Sequence, residues 1–144
     1  MQEALKEAQK AFEADEVPIG ALIVINNRVI GRGNNQVEVL NDPTAHAEMI
    51  AITSATNFLG SKYLEQCTMY VTVEPCLMCA SALYWSRIGS IYYGASDNRF
   101  GFTLLAKKLF GKKVKVNHGI LADECSKLVL DFFRKKRDLD DLVR

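Results

Sequence analysis

His46-Ala47-Glu48 and Pro75-Cys76-Leu77-Met78-Cys79 supply one imidazole, two thiols and one carboxylate. Imidazole and thiolate are donors that zinc takes. Three protein ligands leave a fourth tetrahedral position for water, whereas four would close it. Cys76 and Cys79 lie three apart and so share one face of a helix. In its first turn the helix dipole favours both as thiolates. The other histidine, His118, falls far downstream in a strand-like segment. An open site of His46, Cys76 and Cys79, with Glu48 as the proton-moving group, fits these residues better than a closed structural site. A redox C-x-x-C would need no His-x-Glu partner.

The spacing of His46 and Glu48 constrains where such a site can lie. Asp42-Pro43 reads as a loop leading into a helix that starts at Thr44. Residues two apart on a regular helix point to nearly opposite sides. They converge only on a target beyond the helix end, toward which helical side chains lean. The expectation is that this helix start faces the start of the Cys76 helix.

The elements that must hold these groups follow from periodicity. Residues 2–14 have Leu5, Ala8 and Phe12 at helical spacing. Strands are expected at 19–25 and 28–33, joined by an Asn26-Asn27 turn. A loop follows at 34–43, then a helix from 44 to about 58. Residues 68–73 form a strand, and Pro75 suits the first position of a helix reaching 86. Further strands fall at 90–93 and 114–118, a short helix at 104–110 and a long helix at 121–137. A hairpin followed by alternating helices and strands predicts an α/β layer with a mixed sheet.

At 144 residues, nearly half apolar, the chain fits one domain spanning 1–144. No apolar run could span a bilayer. The charged start lacks the apolar core of a secretory signal, so a cytoplasmic location is expected. The formal net charge is +1, but basic residues cluster at Lys107, Lys108, Lys112, Lys113 and Lys115 and at Arg134–Arg137. Such patches suit an anionic partner or a solvated surface equally. Cys67 and Cys125 fall in core-like patterns and pack as small hydrophobes.

Residues 16–137 resemble the bacterial tRNA-specific adenosine deaminases of the zinc nucleoside deaminase superfamily. The likeness rests on Val17-Pro18-Ile19-Gly20-Ala21, Asn26-Asn27-Arg28-Val29-Ile30, Asp42 to Glu48, Val71 to Cys76, Ser86-Arg87-Ile88-Gly89, and Gly119 to Cys125 with Asp131 to Arg134. H-x-E followed by P-C-x-x-C is the superfamily's zinc signature. The resemblance implies a cytidine deaminase-like, three-layer α/β/α fold with a mixed five-stranded sheet. It implies one zinc ion per subunit on His46, Cys76 and Cys79, Glu48 as proton shuttle, and Asn35 contacting the target base. It also implies Asp97, Phe133 and Arg137 as contacts to a tRNA anticodon stem-loop, and a homodimer that could bury an apolar face around Leu83, Tyr84 and Trp85. The implied reaction is hydrolysis of wobble adenosine to inosine.

Two alternatives stay open at this point. Asp97-Asn98-Arg99-Phe100-Gly101 carries arginine where the family pattern has lysine, and Phe102-Thr103-Leu104-Leu105 replaces the usual small-residue run. Tyr84 to Arg87, Asn34-Asn35 and Gly101-Phe102 are also similar to guanine deaminases, which typically have acidic residues after the Gly-Phe. Deamination of guanine or another free base is therefore the rival activity. A zinc-stabilised RNA-binding module without chemistry is the rival of another class.

Overall fold

The computed structural model describes residues 1–143. The chain opens with α1 (Gln2–Glu13), whose Ala4, Ala8 and Ala11 form a buried stripe. β1 (Gly20–Ile25) and β2 (Arg28–Asn34) pair as an antiparallel hairpin. Asn26 and Asn27 take φ of 47° and 59°, the left-handed pair that a two-residue hairpin turn needs to match sheet twist. One feature departs from the expected loop at 34–43: α2 (Val37–Leu40), a single turn closed by Asn41 in the left-handed region. One turn is too short to display a helical period.

α3 (Ala47–Leu59), β3 (Thr68–Val73), α4 (Leu77–Trp85), β4 (Ser90–Ala95), α5 (Phe102–Leu105), β5 (Lys115–His118) and α6 (Ala122–Val143) follow. The strands lie in the order β2-β1-β3-β4-β5. β1 is antiparallel to β3, while β3, β4 and β5 run parallel. α3 and α4 cover one face and α1 and α6 the other, giving the expected three layers around a mixed five-stranded sheet. α5 starts earlier than the predicted 104–110 because Phe102 is drawn into the core against Tyr93 and Phe110. α6 continues past Arg137, since no Gly or Pro interrupts it.

A seam of small residues sets how deeply α3 sits. Ala47, Ala51 and Ala55 lie over Gly31 and Gly33 of β2. A Cβ on Gly33 would stand 2.1 Å from the Ala47 carbonyl oxygen, and one on Gly31 2.5 Å from that of Ala51. The helix backbone therefore rests directly on the strand. β2 is two antiparallel steps from β3 and so runs in the same direction. The start of α3, over Gly33, thus falls at the same sheet edge as Cys76, which follows β3. Carboxyl ends of strands are where α/β sheets bind ligands.

Candidate active site

His46 and Cys76 both sit one residue outside their helices. Each has extended backbone, at φ −70°, ψ 153° and φ −69°, ψ 170°. The expected helix start at Thr44 is therefore corrected to Ala47. Asp42 explains the delay: its carboxylate accepts Thr44 N–H and the Thr44 hydroxyl, both at 2.8 Å, and holds consecutive turns. Pro75 likewise precedes the N-cap and is not the first helical residue. Its carbonyl accepts Phe102 N–H at 3.0 Å, and Cys76 pairs with Gly101 in an antiparallel bridge. These bonds keep Pro75-Cys76 extended. With His46 outside the helix and Glu48 in its first turn, the geometric conflict between them disappears.

The two helix starts face one another. His46 Nδ1 lies 3.6 Å from Sγ of Cys76 and 3.6 Å from Sγ of Cys79. The three donor atoms all fall within 4.8 Å of one another, an arrangement that could hold a metal ion. Neither His46 nor Cys76 uses its side chain to cap its helix.

The electrostatics follow from this crowding. A hydrogen bond from the Cys79 thiol, reinforced by His46, pushes Cys76 down to about 4 against the cost of burial. Donating that proton, together with burial, pushes Cys79 upward. The bond to Cys76 raises His46 against its own burial. Glu48 is buried, and desolvation pushes its carboxyl up to about 7. A carboxyl at that value can both take and return a proton near neutrality.

His46 and Glu48 open into a cleft of about 790 Å³ that Asn35, Glu16, Val39, Phe133 and Lys136 also line. Asn35 is nearly buried. Its Nδ2 donates to the Val17 carbonyl at 3.2 Å and its Oδ1 accepts Val37 N–H at 3.3 Å. Both the turn role and a contact role are thus available, because one N–H and one lone pair stay free. Phe133 is 43% exposed, while Phe132 is buried edge-on against Phe12. Arg137 is exposed one turn beyond Phe133 on the same helix face. Asp97 is not among the cleft residues; its carboxylate accepts Arg99 N–H and Phe100 N–H at 2.9 and 3.0 Å and shapes its own loop.

A family model described as MafB19-like deaminase matches residues 1–137. The tRNA-specific adenosine deaminase of Aquifex aeolicus (strain VF5) is 46% identical over 94% of this chain and 92% of its own length. This chain belongs to the tRNA-specific adenosine deaminase family. A solved structure from a study of A-to-I editing by tRNA:A34 deaminases at the wobble position of transfer RNA is 41% identical. It superposes with a TM-score of 0.83, covering 89% of this chain and 96% of that one. A guanine deaminase from Bacillus subtilis is 35% identical with a TM-score of 0.66, covering 76% of this chain and 73% of that one.

Within this deaminase frame, two buried carboxylates stand out that sequence reasoning missed. Glu16 Oε1 accepts Val39 N–H at 2.7 Å and pins α2 at the cleft. Glu74 accepts hydrogen bonds from both ends of the segment 97–103. A lone glutamate beside a proline or valine carries no spacing signal, so only the fold reveals these partners.

Proposed function

We propose that this chain deaminates adenosine to inosine at the wobble position of a tRNA anticodon loop, with one zinc ion per subunit held by His46, Cys76 and Cys79. Bonds of about 2.3 Å to sulfur and about 2.0–2.1 Å to nitrogen at the tetrahedral angle give an S···N edge of about 3.5–3.6 Å. The observed 3.6 Å separations fit it. Zinc in that position supplies Lewis acidity, which makes water nucleophilic near neutral pH.

The chain's own groups do the rest. Glu48 takes the proton of the attacking water and passes it to N1 of the purine while C6 is attacked. It then takes the proton of the new C6 hydroxyl and delivers it to the amine; the C6–N bond breaks as the carbonyl forms, so that adenosine and water give inosine and ammonia. The free N–H and lone pair of Asn35 orient the base. The half-exposed ring of Phe133 stacks on an unpaired loop base, with Arg137 beside it for phosphate; Asp97, outside the cleft, shapes its own loop instead. An unpaired target base is the least costly to turn out into the cleft.

The observation that carries this reading is the buried Glu48 carboxylate beside three converged metal donors in a cleft open to Phe133. That carboxylate has no place in a module that uses metal only for folding. A second copy would cover Tyr84 and Trp85, which are 47% and 76% exposed; Leu83, grouped with them on the sequence, is wholly buried. None of the described helices is long and apolar enough to cross a membrane. Reduced thiols and a tRNA substrate suit the cytoplasm.

The similarity to a guanine deaminase makes the decisive assay a paired one. Inosine in an anticodon stem-loop is measured beside xanthine from guanine. Inosine formation is expected; xanthine alone would replace this reading with the rival.

A further inference from the structure

We infer that Glu74 is a positioning residue for the metal centre, fastening the segment 97–103 against the backbone of Cys76. The inference rests on the proposed zinc reading. Glu74 is 4% exposed. One carboxylate oxygen, Oε2, accepts Asp97 N–H at 3.0 Å. The other, Oε1, accepts Thr103 N–H at 3.0 Å and the Thr103 hydroxyl at 2.6 Å. The first and last residues of the segment are thereby tied to a single side chain.

What lies between them touches the site. Gly101 forms the bridge with Cys76, and Phe102 N–H bonds the Pro75 carbonyl. These contacts hold Cys76 extended, outside the helix, where its sulfur meets His46. Gly101 passes so close to the carboxylate that a Cβ there would stand 2.4 Å from Glu74 Cδ. Glu74 therefore acts on Cys76 through the segment, without touching the ligand atoms.

The chemistry demands a carboxylate. Two backbone N–H groups point at different oxygens, so both must be acceptors. Glutamine offers one acceptor and turns N–H groups toward the other donor. Glu74→Gln should therefore loosen the segment although its size is unchanged. Thr103→Val removes only the hydroxyl donor and should loosen it less.

The test follows zinc release from purified full-length protein into excess chelator, with thermal melting in parallel. Groups that orient metal ligands typically change affinity by about 10–100-fold. Release from Glu74→Gln should be at least about 10-fold faster than wild type, with Thr103→Val in between. Ile91→Val, a core change away from the segment, supplies a destabilised control whose release rate should match wild type. A merely structural Glu74 would lower the melting temperature with release unchanged, and that result overturns the inference. Should Glu74→Gln fail to fold, Thr103→Val decides: faster release supports the assignment and an unchanged rate refutes it. Wild-type protein that binds no zinc would instead overturn the underlying metal reading, and this inference with it.

Discussion

Gly33→Ala tests the link between the seam under α3 and the metal centre. The new Cβ would meet the Ala47 carbonyl oxygen at 2.1 Å, and contacts below 3.0 Å are essentially never tolerated. Ala47 must retreat by about 0.9 Å, and His46 is its chain neighbour. Metal–ligand distances hold to about 0.2 Å, so the His46 ring leaves coordinating range unless the loop absorbs the shift. Overpacking of this kind costs about 1–3 kcal/mol. Unfolding entropy of about 0.3 kcal/mol per degree, at the usual value per residue, turns that into a loss of about 3–10 °C.

Gly89→Ala is the comparison, because its Cβ would lie 2.5 Å from the Glu65 carbonyl oxygen, at the opposite sheet edge. Zinc content by atomic emission and melting by circular dichroism are measured for both variants. Both should melt lower, but only Gly33→Ala should lose most of its zinc. Equal zinc in the two variants would show that the seam does not position His46.

Glu48→Gln should retain zinc and lose at least about 10³-fold in the rate of inosine formation, measured in single-turnover assays; retained turnover would remove Glu48 as the shuttle. Phe133→Ala should weaken stem-loop affinity by about 5–150-fold, the value of about 1–3 kcal/mol for one stacked base, as read by fluorescence anisotropy. Glu7 is buried at a desolvation cost, yet bonds from Lys10 and Asn34 Nδ2 hold its carboxyl below the ordinary value. Its stabilisation is therefore present above the unfolded-state pKa of about 4.3 and is lost as pH falls through the lower folded value. The melting-temperature gap between wild type and Glu7→Gln should accordingly be full at pH 6 and shrink below about pH 4.

Much of this molecule is written locally in its residues. Asn26-Asn27 announces the hairpin, and β-branched runs announce β1 and β3. His46, Glu48, Cys76 and Cys79 carry enough chemistry at fixed spacing to mark a site before any fold is known. The register of the helix starts was not legible. Thr44 and Pro75 look like helix openers, but Asp42 and the Gly101 bridge hold those stretches extended. Those competing bonds come from turn geometry and from a segment far along the chain. The roles of Glu16 and Glu74 were hidden for the same reason, since their partners are backbone N–H groups brought near only by folding. Phe132 and Phe133 show the intermediate case: helical spacing marks both as packing candidates, and only tertiary contacts turn one ring inward and leave the other half in solvent.

α3 and α4 begin at His46 and Cys76, whose side chains do not cap them, although a side-chain cap is usually worth about 1 kcal/mol per helix. An ion gripping His46 and Cys76 would anchor those helix starts by fixing the residues that precede them. Stripping the ion should then quicken amide hydrogen exchange at the openings of α3 and α4 first, while the sheet centre stays protected.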